Sequence, residues 1–117
     1  MSHIFDDREK GAEARYGHDQ ELRFKITVRR NRLIGEWAAS KLGLNAAATA
    51  AFAKALVEQH LMGDTSHTDV VLIERLGADF KAKALDISPH RIRRHLDECL
   101  EEARRQVMTE IKPERNA

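Results

Sequence analysis

One cysteine, two prolines, one tryptophan and one tyrosine are all that the chain has of those types. A lone Cys99 can close no internal disulfide, which fits a reducing cytoplasm. No apolar run approaches the roughly 18 residues that span a bilayer. No secretory leader is visible, because Asp6 to Glu13 is densely charged where an apolar stretch would lie. Alternating runs of valine and isoleucine are absent, so nothing argues for a sheet. There is no GxxxxGK[ST] loop to cradle a phosphate. A formal charge of +1 gives no bulk attraction to nucleic acid or to a lipid surface. What abounds is Ala, Leu, Glu, Lys and Arg, the composition of a helical protein. At 117 residues the chain makes one domain with a modest core. The expectation is a soluble, cytoplasmic, all-α protein.

With prolines only at Pro89 and Pro113, punctuation falls to glycine and to capping residues. Asp6-Asp7-Arg8-Glu9 offers a capping box, with Asp6 as N-cap and Glu9 reaching back. Helical composition then runs to Leu42, about 55 Å if continuous, and Gly43 is a natural left-handed stop. Gly11 and Gly17 each weaken its first part by roughly 1 kcal/mol relative to Ala. The stretch is therefore divided into an arm and a core helix whose packing residues are Leu22, Ile26, Leu33, Trp37 and Ala38. Asn45 caps a second helix, which ends at Gly63 and packs through Ala48, Phe52, Ala55, Leu56 and Gln59. Thr68 caps a third, carrying Ile73, Leu76, Phe80 and Ala84. Ser88-Pro89 starts a fourth, whose stripe is Ile92, Leu96, Cys99, Leu100, Ala103 and Val107. The resulting plan is a four-helix bundle over residues 21–112, a mobile N-terminal arm over 1–20, and a fraying tail over 113–117.

Residues for enzyme chemistry are scattered. His90 and His95 are five apart and do not share a helix face as a zinc pair would. His3, His18, His60 and His67 have no cysteine at ligand spacing, and Cys99 lies on an apolar stripe. The chain reads as no enzyme, with no metal and no cofactor.

Two basic features invite a function. Arg29, Arg30 and Arg32 make the core helix locally positive, opposed within it only by Glu36. They suit a solvated face first, and a secondary contact with an acidic partner second. Further on, FKAKALDISPHRIRRHL has the pattern of a helix-turn-helix. Its second helix, starting at Pro89, would offer Arg91, Arg93 and Arg94 to DNA. Against it, Asp86 stands where the turn usually has glycine, and Asp97, Glu98, Glu101 and Glu102 follow the arginines. Those carboxylates would repel phosphate. DNA binding is the alternative function, and no nucleic acid is expected.

The arm has a narrow face of its own. On a helix Phe5, Ala12 and Tyr16 fall within about 40° of one another. So thin a stripe cannot hold the arm against a bundle, but it would anchor it in a groove. The arm carries Asp6, Asp7, Glu9, Glu13, Asp19 and Glu21 against Arg8, Lys10 and Arg15, so it is acidic where the next stretch is basic. On composition alone a frayed terminus and a docking arm fit equally well.

The segments FDDREKGAEARYGHDQELRFK, RRNRLIGEWAASKLGL and IRRHLDECLEEA resemble, in order, the zeta subunit family of alphaproteobacterial F-type ATP synthases. The resemblance runs from Phe5 to about Val107. It implies a four-helix bundle whose intrinsically flexible N-terminal segment enters the interface between catalytic alpha and beta subunits and blocks ATP hydrolysis. The implied partners are the alpha, beta and gamma subunits of the synthase headpiece. The protein would be monomeric when free, cytoplasmic, and held near the membrane only through the synthase, without direct membrane contact. The inhibitory stretch carried over is Phe5, Asp6, Asp7, Arg8, Glu9, Lys10, Glu13 and Arg15, followed by Tyr16 and His18. Phe5 and Tyr16 would supply buried anchors, and Arg8, Lys10 and Arg15 would pair with acidic surfaces. Protonation of His18, near the junction with the bundle, would tune docking between about pH 6 and 7. The chain departs from the family pattern at Tyr16-Gly17, where Phe-Ala is expected, and at Glu36, where an apolar residue is expected. Gly17 makes ordering the arm about 1 kcal/mol harder.

Overall fold

A computed structural model describes the backbone of residues 2–62 and 68–115 and the side chains of residues 19–59 and 69–111. Four helices make it up: α1 (Ser2–Lys41), α2 (Ala46–Met62), α3 (Thr68–Ala82) and α4 (Pro89–Arg115). Among the described residues there is no strand. The all-α four-helix expectation holds. The break expected near residue 20 is not a break in the helix, since α1 runs through it as one element of 40 residues.

Local chemistry sets the helix ends. The Asn45 side-chain oxygen accepts from the Ala48 amide at 2.8 Å, and the Ser88 hydroxyl accepts from the Arg91 amide at 3.2 Å. Both bonds satisfy a donor that a helix start leaves orphaned, with Pro89 in the first helical position. At the end of α1, Gly43 has φ 74°, and the Leu44 amide donates to the Ala39 carbonyl at 3.0 Å. The end of α3 repeats this motif with alanine: Ala84 has φ 58°, and the Leu85 amide donates to the Phe80 carbonyl at 2.8 Å. Ala84 was expected on the buried stripe of α3. It lies beyond the helix and exposed, because the chain turns there. The expected cap at Thr68 and stop at Gly63 lie outside the described side chains.

Helix α1 is the spine. It packs along α2 and α4, while α3 rests mainly on α4. The core has two parts. Ile34, Ala38, Leu56, Leu72, Leu76, Phe80, Ile92 and Leu96 join all four helices, with Trp37 edge-on to Phe80 at 5.6 Å. Among the described residues, Ile26, Ala103 and Val107, flanked by Leu22, Leu33, Leu100 and Ile111, join α1 and α4 alone. Arg29 meets Gln106 and Glu110, and Trp37 stacks on His95, so α4 runs antiparallel to α1. The stripe expected for α4 is the buried one. For α2 the face is rotated: Ala53 and Leu56 are buried, whereas Ala55 and Gln59 are exposed. The cause is the crossing of α1, where a Cβ on Gly35 would stand 2.8 Å from the Ala53 Cα. Only two small residues allow that approach, and they turn α2 toward α1 on Ala53.

Candidate functional site

The residues expected to dock are Phe5, Asp6, Asp7, Arg8, Glu9, Lys10, Glu13, Arg15, Tyr16 and His18. They fall within the backbone of α1, and their side chains lie outside the described residues. From the N-terminus, the first described side chain that joins the core is Leu22.

The basic run that follows divides. Arg30 is buried, and its guanidinium donates to both oxygens of Asp69, at 2.8 and 3.3 Å, and to the Asn31 side-chain oxygen at 3.0 Å. Asn31 is buried too, at 1 % exposure. Arg29 donates to Gln106 at 2.7 Å and pairs with Glu110 at 2.7 Å. These two arginines therefore fasten α1 to α3 and α4. That corrects the expectation of a purely solvated face: carboxylates from other helices, not only Glu36, oppose the run. Arg32 alone of the three is exposed, 3.4 Å from Glu36 in an i, i+4 pair.

On α4, Arg91, Arg93 and Arg94 are exposed, and Arg93 comes within 3.8 Å of Asp69. His95 stacks on Trp37 with centroids 4.1 Å apart, and its Nδ1 lies 3.5 Å from Glu98. Burial, with the Glu98 charge adding to it, pushes the Cys99 thiol up to about 11. Such a thiol is protonated at neutral pH and a poor nucleophile. Among the described residues, no group of three His, Cys, Asp or Glu is placed to hold a metal ion. No helix there is long and apolar enough to cross a membrane.

A feature that sequence reasoning missed is the open side of α1. Phe24 is 55 % exposed, and Val28, one turn on, is half-buried. Val28 and Arg32 line two adjoining hollows. A hollow of about 230 Å³ lies toward α4, between Phe24, Arg29, Val107 and Glu110. Another of about 660 Å³ lies toward α2, floored by Val28, Ala46, Thr49, Ala50, Ala53 and Val57 and rimmed by Arg32, Glu36, Lys54 and Glu58. The run AAATAAFAKA was the available signal. A helix with alanine on several sides can be buried on one and still leave a shallow apolar trough on the next.

The model of one protein family, described as ATPase inhibitor subunit zeta, matches residues 1–106. No curated protein and no solved structure matches the chain.

Proposed function

The chain belongs to the ATPase inhibitor subunit zeta family, and from that membership we propose that it inhibits an F-type ATP synthase by inserting the start of α1 into the catalytic interface between alpha and beta subunits. The supporting observation is the length of α1: the helix begins at Ser2, 20 residues before Leu22, the first described side chain in the core it shares with α4. Some 20 residues at 1.5 Å each make about 30 Å of helix. A single helix is about 10 Å wide and fits a cleft that a four-helix body cannot enter. The bundle then acts as a stop, and the arm as the wedge. Phe5 and Tyr16 are the apolar anchors, spaced to share a face with Ala12. Arg8, Lys10 and Arg15 meet carboxylates of the interface, while Asp6, Asp7, Glu9 and Glu13 meet cationic groups of the cleft. His18 stands at the mouth. The alpha, beta and gamma subunits are the contacts, and ATP hydrolysis is what the wedge stops. The inhibitor is a non-catalytic, monomeric regulator that lies in the cytoplasm and meets the membrane only through the synthase.

The test is ATP hydrolysis by the cognate F-type ATPase, titrated with the intact protein, with Phe5→Ala, and with a form lacking residues 1–18. Losing a central aromatic anchor costs about 2–4 kcal/mol, so Phe5→Ala should raise the half-inhibiting concentration by about 30-fold or more. The truncated form should not inhibit, while its bundle still folds and melts cooperatively. Equal inhibition by the truncated and intact proteins would remove the arm from the mechanism.

A further inference from the structure

We propose that His95, stacked on Trp37, is a proton-operated clamp between α4 and α1: a proton on the ring tightens the joint, and its loss loosens it. The clamp stands apart from the inhibitory role proposed above and holds or fails without it. The two rings lie 4.1 Å apart between centroids and 24° from parallel. A neutral imidazole in that place supplies surface contact. An imidazolium adds attraction to the electron-rich face of the indole. The Nδ1 of the same ring lies 3.5 Å from a Glu98 carboxylate oxygen. That separation is long for a hydrogen bond from a neutral ring, and it becomes an ion pair once the ring is charged. One proton therefore strengthens two contacts at once, one across the helices and one within α4.

The position of the pair gives the proton its leverage. Trp37 meets fully buried Phe80 edge-on at 5.6 Å, so the ring under His95 is packed against the four-helix core. The His95 side chain is 32 % exposed, so water can deliver a proton without the bundle opening. Charges around the ring are mixed. On α4, exposed Arg91 stands one turn before His95 and exposed Arg94 beside it, against Asp97 and Glu98. From α1 come Glu36, next to Trp37, and Arg30, and both act on Cys99 one turn past His95. From α3 comes Asp69, which is engaged by Arg30 and Arg93. Exposed arginines are screened by water and salt. Among the described residues Glu98 is the charged group within 4 Å of the ring, and it fixes the sign. The added hold is present on the acid side and lost as pH rises through the histidine range, about pH 6 to 7.

Trp37 is the only tryptophan in the chain, so its emission reports on this contact. An imidazolium in contact with an indole quenches it far more than a neutral imidazole does. The full-length protein is titrated from about pH 8 to about pH 5.5, beside His95→Gln, Glu98→Gln and, as a control, His90→Gln at the exposed start of α4. Urea unfolding is measured at both ends of the range. Emission should fall on acidification in the unmodified protein and in His90→Gln, and stay level in His95→Gln. Glu98→Gln should keep the fall but move its midpoint to lower pH. Relative to His95→Gln, the unmodified protein should gain about two- to fivefold in its folding equilibrium constant between the alkaline and the acid end, the reach of a cation on a half-exposed aromatic face. Level emission in the unmodified protein, or a fall that persists in His95→Gln, would overturn the clamp. So would an equal change of stability with pH in the two proteins. Should His95→Gln fail to melt cooperatively, the Glu98→Gln midpoint decides, and an unmoved midpoint overturns the proposal.

Discussion

The two lengths of α1 inside the bundle are held in different ways. From Ile34 to Ala38 the helix is enclosed by three others and touches a core that includes Leu56, Leu76, Phe80 and Leu96. From Leu22 to Leu33 the described partners in its apolar cluster come from α4, and polar contacts add to the hold: Arg29 to Gln106 and Glu110, Arg30 to Asp69. The first length resembles the interior of an ordinary domain, and the second an interface between two helices. Free energy of local opening follows buried apolar contact, so the second should open more readily than the first. Function fits that gradient. Under the proposed function, a helix that meets another protein at one end is held firmly at the other.

The sharpest way to break the comparison is to remove one side chain from each part. Phe80 is fully buried, and Phe80→Ala should cost about 3–5 kcal/mol, as lost transfer energy plus a cavity among four helices. Val107 is 2 % exposed, yet Val107→Ala should cost only about 1–2 kcal/mol, because a two-helix contact can close up around the loss. Urea unfolding of both variants measures the pair. Equal costs would mean that the two lengths form one core.

Asp69 tests the join between the parts. It is the described carboxylate that receives Arg30, whose side chain is 9 % exposed while that of Asp69 is 40 % exposed. Truncating one partner of a buried pair strands the other charge. The exposure of Asp69 discounts that penalty, since water can reach the guanidinium through the gap. Asp69→Ala should therefore cost about 1–2 kcal/mol and speed amide exchange at residues 22–33 more than at 34–41. Exchange that rises equally along α1 would show that the pair does not divide the helix.

Much of this was legible beforehand, and the misses share one cause. Asn45, Gly43 and Ser88-Pro89 act on backbone groups within a turn of themselves, so their effect is written beside them in the chain. The α4 stripe was legible because one helix against a continuous surface shows its period directly. Arg30 and Asn31 were placed in solvent because the carboxylate that permits their burial is 39 positions from Arg30. Ile34, Gly35 and Ala53 were missed, and Ala55 and Gln59 wrongly placed inside, because the crossing of α1 and α2 is set by two small residues that no hydrophobic period marks. The residues proposed to dock, from Phe5 to His18, were read from the spacing of Phe5 and Tyr16 and from family resemblance, and their side chains lie outside the described residues. The trough had only the alanine run of α2 as a signal, since an apolar residue left uncovered is defined by where other helices are not.

The smallest expected effect separates the parts most cleanly. Two turns close with the same backbone motif: Gly43 takes the left-handed position after α1, and Ala84 takes it after α3. Left-handed backbone costs a residue with a Cβ about 1–2 kcal/mol, and glycine avoids this while losing more freedom on folding. Ala84→Gly should thus stabilise the protein by about 0.5–1 kcal/mol net. The gain belongs to the turn that joins α3 to α4, next to Phe80 and Ile92 in the four-helix part. Amides of Leu76, Phe80 and Leu96, if they exchange only on global unfolding, should gain protection by about threefold. Amides near Ile26, if they exchange by separation of α1 from α4, do not need that turn to open and should keep their rates. A uniform gain at both places would make α1 a single cooperative unit from Leu22 to Lys41.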